Sequence, residues 1–380
     1  MEIKNKNKII SNLELKKLGR DALNIVSFGI NSINIKKIVK ENLPDIRGFE
    51  NIYVIGFGKS VGIMGEAVEK KLGKKITKGI IIGPTKVKTK IIKSFIGTHP
   101  FPSQKNMLAS KKILSLVKKA TKRDIVICLI SGGGSSMFEI PKVPLKKLIS
   151  LNKKLINSNK SINEINKIRQ KYSLVKGGKL AKAILPATCY SFICSDVVSG
   201  SIRTIASGPT AVNSQKIHNK IIIDNSLAIK AMGDKAKALG YNIKIISPSL
   251  QGDQKKALNK LFSKNGKKPL AIISGGETIL NVNGTGKGGR NQELVLRAIN
   301  KLSQNSVFLS LASDGIDGIS KDAGAIIDSC SFQKAFDKKL NYKGFLHNND
   351  SNTFFKKLGS EIKTGKTGVN IMDLQLLLIN

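Results

Sequence analysis

Tryptophan is absent from this 380-residue chain, and aromatic residues make up only 5% of it. Arginine is scarce too. It supplies seven of the 65 basic side chains, at positions 20, 47, 123, 169, 203, 290 and 297, and lysine supplies the other 58. Acidic residues number 25, so the formal net charge is +40. A charge of this size invites a nucleic-acid reading. Proteins that read nucleic acid lean on arginine forks and base-edge contacts. Here lysine is spread through nearly every segment, with no basic tail and no aromatic interleaving. A lysine-, asparagine- and isoleucine-rich composition accounts for the charge, and nucleic acid is not an expected partner. The four cysteines (Cys128, Cys189, Cys194, Cys330) form no C-x-x-C pair and no metal spacing with the three histidines, so they read as reduced thiols of a cytoplasmic protein. No apolar run approaches the roughly 20 residues of a membrane span. The opening MEIKNKNKII has no apolar core or small-residue cleavage site, so no signal peptide and no membrane partner are expected.

What is present is a hydrophobic content of 41%, enough for an ordinary core, in a chain long enough for two domains. Short Ile/Val-rich runs recur at 52–55, 79–82, 124–130, 189–194, 243–246, 270–273, 307–311 and 374–379. They do not alternate cleanly, as expected of strands covered on both faces. Helical patterns fall between them, at about 12–28, 60–72, 104–120, 145–157, 225–239, 290–302 and 350–358. Alternating strands and helices predict an α/β architecture built on parallel sheet. We expect a domain over 1–220, a connecting α/β region over 221–268 and a second domain over 269–380.

Five segments carry candidate chemistry. GFGKS (Gly56 to Ser60) follows a strand and opens a helix, so Gly58 and Lys59 sit where free N–H groups and a cation would hold an anion. It fits neither a P-loop nor a complete dinucleotide fingerprint. The next apolar run ends IIIGPTK, without the ribose-binding acid that NAD needs. Next, Ser131, Gly132, Gly133, Gly134, Ser135 and Ser136 form a second glycine turn after a buried run, suited to a phosphate cradle. In the third segment, Asp196 ends the run holding Cys194, where a metal-binding or catalytic carboxylate is usual. The fourth, SGGETILNVNGTGKGGRNQE, offers Glu277, a glycine-rich loop, then Arg290 and Asn291 at a helix start; Arg290 would present a planar fork to a phosphate or carboxylate. Finally, ASDGIDG places Asp314 and Asp317 three apart on a turn, able to hold Mg²⁺ or to accept a proton. Two glycine loops, a lysine, an arginine and strand-end aspartates are the equipment of phosphoryl transfer.

In this order the motifs resemble the type II glycerate kinases, whose C-terminal half is the MOFRL domain. The matching segments are GFGKS, THPFP (98–102), SGGGSS, IRQKYSLVKGGKLA (168–181), SDV, IASGPT, SGGET, GKGGRNQE, ASDGIDG, HNNDS (347–351) and TGKTGVN. The resemblance implies a Rossmann-like N-terminal domain with a parallel sheet and a smaller α/β C-terminal domain, with the active site in the cleft between them. It implies ATP-dependent phosphorylation of D-glycerate with Mg²⁺, most simply to 2-phosphoglycerate. Lys59 and Arg290 match the family's key active-site positions. Lys59, Arg290, Asp314 and Asp196 are therefore the expected catalytic residues, with Asp196, Asp314 and Asp317 as metal ligands. Lys176, Glu277 and Asn291 join Gly58 and the SGGGSS turn in holding the nucleotide. Glycerate 3-phosphorylation and an NAD(P)H-linked hydroxypyruvate reductase are the alternatives. The sequence departs from the family pattern at Ser103 and Ser201, where aspartate is usual, and at Lys366 and Val369 in the late TGKTGVN motif. It is silent on assembly and admits a homodimer.

Overall fold

The computed structural model describes all residues except 157, 159, 160, 198, 199, 264 and 265, and the side chain at 162. Asn157, at the end of one expected helix, and Val198 and Ser199, after the SDV motif, therefore lie outside the described residues. The chain divides into two compact units, Asn34–Asp224 and Met1–Ile33 with Asn225–Asn380.

The first unit is built on six strands: β1 (Ile52–Phe57), β2 (Lys78–Gly83), β3 (Ile92–Ile96), β4 (Ile125–Ser131), β5 (Thr188–Cys194) and β6 (Ile217–Ile223). All pair in parallel, in the order β3-β2-β1-β4-β5-β6. Every residue of β4 is buried, which explains its unbroken apolar sequence. Chain order reverses between β1 and β4. Loops leaving those two strands diverge, and open α/β sheets bind ligands in that opening, at the carboxyl ends of the strands. GFGKS leaves β1 and SGGGSS leaves β4, so both glycine motifs stand at this switch point.

The second unit contains β7 (Asn242–Ser247), β8 (Gly252–Asp253), β9 (Leu270–Gly276), β10 (Thr278–Ile279), β11 (Ser306–Ala312), β12 (Gly324–Asp328), β13 (Glu361–Ile362) and β14 (Asp373–Ile379). Six of them form a sheet in the order β13-β12-β11-β14-β9-β7, and β8 pairs with β10. This sheet is mixed. β7 runs parallel to β9, whereas β14 is antiparallel to both β9 and β11. The parallel reading of the sequence therefore holds for the first sheet and not for the second. Strand β14 is reached through the non-helical segment 363–372 rather than by a helical crossover, and that allows the antiparallel sense.

Residues expected to form a connector are built into this unit: β7 edges the sheet and helix Asn225–Ala238 covers it. The first 33 residues join it as well. Helix Lys16–Asn31 packs on Asn225–Ala238 so closely that a Cβ at Gly29 would lie 2.4 Å from Met232 Cγ. The Glu14 and Leu15 amides donate to Asp328 Oδ2 at 2.7 and 3.1 Å, and Tyr241 donates its hydroxyl to Asp21. Among the described residues no helix is long and apolar enough to cross a membrane.

Candidate active site

At the switch point of the first unit the two glycine turns are locked together. Gly58 has φ +131°, and a Cβ there would fall 2.4 Å from Ser131 O and Oγ, so no other residue fits. The Lys59 amide donates to Gly132 O (2.8 Å) and the Ser60 amide to Ser131 Oγ (3.0 Å). Ser131 thus braces the turn. Gly132 lies against Asp196: a Cβ on it would sit 1.7 Å from Asp196 Oδ2. A Cβ on Gly133 (φ +77°) would meet His99 Cδ2 at 2.9 Å and Lys59 Cγ at 3.3 Å. Backbone that bare brings Lys59, His99 and Asp196 around one stretch of main chain. Desolvation raises the Asp196 carboxyl above the usual carboxylate range, and the Lys59 charge opposes that rise. Packing against the cradle, helped by the same charge, lowers the His99 imidazole. The short helix Gly134–Met137 begins here without a side-chain cap, its Ser136 and Met137 amides both bonding Gly133 O at 3.2 Å.

Behind the cradle, Ser135 Oγ meets Ser207 Oγ at 2.8 Å, and Ser207 donates to Asn166 Oδ1 at 2.9 Å. Lys176 was expected to hold nucleotide. It is instead fully buried, with its ammonium on the buried Glu139 carboxylate. Burial pulls its pKa down, and the Glu139 charge and hydrogen bond oppose that. Ser103 N-caps helix Gln104–Val117: its Oγ accepts from the Asn106 amide at 3.5 Å and donates to Asn106 Oδ1 at 2.9 Å. Asn106 in turn donates to Thr98 O and Ser136 O, both at 2.9 Å, tying THPFP to the cradle.

In the second unit Arg290 begins helix Arg290–Arg297. Its Nε and Nη2 donate to the two oxygens of Asp373 at 2.5 and 3.0 Å, and Nη2 also donates to Glu277 Oε1 at 2.7 Å. Asp373 is buried, whereas about a third of the Arg290 side chain is exposed (33%). Burial works against the Arg290 charge, but the hydrogen bonds and charge of Asp373, with Glu277 and Asp317, outweigh it and raise the pKa. Glu277 is therefore the partner of Arg290 rather than a separate nucleotide contact.

Asn291 is buried, donating to Asp317 Oδ1 (3.2 Å) and accepting from Ser310 (2.5 Å), so it fastens the helix to β11. Both Asp317 oxygens accept backbone amides, Oδ1 from Asn291 (3.0 Å) and Oδ2 from Gln292 (2.8 Å). That is a helix-start anchor rather than an open metal ligand. Asp314 is partly exposed. Its Oδ1 accepts from the Ile316 amide (3.0 Å), and its carbonyl accepts from the amide of Thr367 in the TGKTGVN loop. In the same loop Lys366 is exposed.

The glycines at 284, 286, 288 and 289 do not form an anion cradle. Amides of Asn283 and Gly284 donate to Asn349 Oδ1, that of Thr285 to Asn348 Oδ1 and that of Lys287 to Asp350 Oδ1. The HNNDS segment consumes the loop's donors. The glycines are needed because main chain meets main chain: a Cβ on Gly284 would lie 2.3 Å from Asn348 O.

Among the described residues no three His, Cys, Asp or Glu side chains gather as a metal cage. Of the candidate ligands, Asp196 belongs to the first unit, and Asp314 and Asp317 to the second.

Sequence reading missed Asp373 and Glu139; Arg169 stood out only as one of the scarce arginines. Asp373 enters because β14 is antiparallel. Its first residue lies in register with Gly276 and Ala312, beside the turns that carry Glu277 and Asp314. A lone acid immediately before LQLLLI was the available signal. Glu139 gave a similar one, an acid between Phe138 and Ile140 with only a lysine partner 37 residues on.

Residues 21–239 match the family described as a domain of unknown function, DUF4147, and residues 270–373 match the MOFRL family. A D-glycerate 2-kinase of Thermotoga maritima is 33% identical, the match covering 96% of this chain and 98% of that one. A rat glycerate kinase is 30% identical over 87% of this chain and 85% of its own length. The crystal structure of a glycerate kinase from Thermotoga maritima superposes with a TM-score of 0.87 at 30% identity, covering 96% of this chain and all of that one. A crystal structure of a Pyrococcus horikoshii protein gives 0.81 at 28% identity, covering 95% and 98%. With family matches spanning both halves and relatives alike over nearly their whole length, this protein belongs to the DUF4147–MOFRL glycerate kinase family.

Proposed function

We propose that the protein transfers the γ-phosphoryl group of ATP to D-glycerate and yields 2-phosphoglycerate. The observation that carries this reading is the pair of glycine turns at the β1/β4 switch point, with Lys59 and Asp196 against them. Phosphoryl transfer asks a protein mainly for positioning and for charge near the moving group. Amides of Gly133, Gly134 and Ser135 face the nucleotide phosphates. Lys59 offsets their charge. Asp196, with its carboxyl already raised, accepts the proton of the attacking hydroxyl. Arg290, held rigid by Asp373 and Glu277, offers its exposed edge to the equatorial oxygens or to the glycerate carboxylate.

Mg²⁺ bound with a nucleotide needs only one or two carboxylates, the rest of its shell being phosphate oxygen and water. Asp314 fits that demand and leaves Asp196 for the proton, whereas Asp317, with both oxygens on amides, does not fit it. The ion would neutralise charge on the phosphates. The names of relatives from Thermotoga maritima, Pyrococcus horikoshii and Picrophilus torridus support the 2-position. A nicotinamide-linked reductase finds less support, because β2 ends at Gly83 and Pro84–Thr85–Lys86 follow, with no acid for a ribose.

In a coupled assay, wild-type protein should release ADP only when D-glycerate is present. Lys59→Ala should lower kcat about 10²-fold, the usual cost of removing one charge-stabilising group from such a site. A kcat within twofold of wild type would remove Lys59 from the mechanism.

A further inference from the structure

Behind the SGGGSS turn the first unit carries a half-open pocket of about 210 Å³. Its walls include Ser135, Ser136, Asn166, Arg169, Glu139 and Lys176. Drug-sized ligands occupy about 300 to 1,000 Å³, so this space suits a molecule of a few carbon atoms and not a nucleotide. The pocket shares Gly133, Ser135 and Ser136 with the phosphate cradle, so an occupant lies beside the phosphoryl group to be moved.

Charge and unmet hydrogen bonding describe that occupant. Arg169 and Lys176 are cations and Glu139 is the anion, so the walls carry one positive charge in excess. Uncompensated charge at a desolvated site is costly, and a small mono-anion would cancel it. Arg169 spends only Nε, on Asn152 Oδ1 at 3.0 Å; its two Nη groups make no hydrogen bond among the described residues. They form the planar fork that matches a carboxylate. Desolvation pulls the Arg169 pKa down although Glu139 opposes it, as expected of a guanidinium awaiting an anion. Glu139 is buried, with Oε2 on Lys176 and Oε1 without any partner among the described residues. A buried carboxylate oxygen left empty is an acceptor for a hydroxyl.

We propose that this pocket is the acceptor subsite for a small hydroxycarboxylate: the Arg169 fork binds the carboxylate, Glu139 Oε1 accepts from a substrate hydroxyl, and Lys176 acts as a positioning residue by fixing Glu139. This assignment rests on the glycerate kinase reading and gives it a location. The occupant it selects carries one carboxylate and at least one hydroxyl on a short carbon chain.

The test compares full-length wild type with Arg169→Lys, which keeps the charge and loses the fork. Losing a charge-assisted bidentate contact should raise KM for D-glycerate roughly 10- to 100-fold. KM for ATP should stay within about twofold and the melting midpoint near that of wild type. Asn152→Ala, which frees Nε but leaves both Nη groups, should raise KM for D-glycerate by less. Calorimetric titration of D-glycerate without nucleotide reads the subsite apart from turnover. Binding to wild type that is lost in Arg169→Lys supports the assignment. Equal binding in the two, no binding to wild type, or parallel rises in both KM values overturns it. Wild type that binds D-glycerate through Arg169 but does not phosphorylate it sinks the reaction and leaves the subsite. Wild type that phosphorylates it with the same KM as Arg169→Lys sinks the subsite and leaves the reaction.

Discussion

Lys176→Met should lower the thermal midpoint of this protein by roughly 6–20 °C. Methionine nearly matches the lysine stem in volume, so packing is largely kept. The loss is electrostatic: Glu139 would stand buried with both oxygens unpartnered. Removing one member of a buried ion pair costs about 3–5 kcal/mol. In a domain of this size each kcal/mol moves the midpoint by about 2–4 °C. The control is the double variant Lys176→Met/Glu139→Leu. Replacing both members by apolar groups is often neutral, so its midpoint should return to within about 4 °C of wild type. A single variant as stable as wild type, or a double variant worse than the single, would show that the pair does not act as one unit. The pair also explains why Lys176 is not available to a nucleotide.

Arg290→Ala should act twice. It strands Asp373, a buried carboxylate that receives two hydrogen bonds from the guanidinium. Arg290 itself is a third exposed, so the cost belongs at the lower end of the buried-pair range, about 3 kcal/mol. The deficit should depend on pH. Burial already raises the Asp373 carboxyl, and Arg290 opposes that; without Arg290 the pKa rises further. A carboxyl whose folded pKa exceeds its unfolded value, about 3.9, holds a proton that the unfolded chain has released. Stability therefore falls as pH rises from about 4 through the folded value. The gap between Arg290→Ala and wild type should be smallest near pH 4 and widest at neutral pH. Thermal melts across that range read it, and a pH-independent gap would contradict the account. The second effect is on chemistry: an arginine that stabilises a transferring phosphoryl group contributes about 10³-fold or more to kcat. Arg290→Lys separates the two effects. Its charge should restore most of the stability, whereas its lack of a fork should restore little of kcat.

The first sheet could be read from the sequence because its strands are buried on both faces, and burial on both faces writes an uninterrupted Ile/Val run. All eight expected runs are strands. β3 (IKSFI) and β6 (IHNKIII) escaped notice because they edge the sheet, where lysine and histidine interrupt the pattern. The antiparallel sense of β14 was not legible either: strand direction is set by connection geometry, and an apolar run reads the same in both senses.

Site residues divide along the same line. Gly58 and Lys59 were visible because a strand–glycine–helix turn has local consequences. The Arg290 helix start was visible as well, since arginine is rare here. Asn291, Asp317 and the 284–289 glycines also looked functional, yet the structure spends them on packing the second unit. A sequence shows which residue types could touch a ligand. It does not show which donors another loop has already taken, as HNNDS takes those of the glycine loop.

The most direct measurement is ³¹P NMR of the full-length protein with Mg-ATP and D-glycerate. The account predicts ADP together with the phosphomonoester resonance of 2-phosphoglycerate, growing at equal rates and about 10²-fold more slowly with Lys59→Ala. ATP left intact in the presence of D-glycerate, or 3-phosphoglycerate as the product, would contradict it.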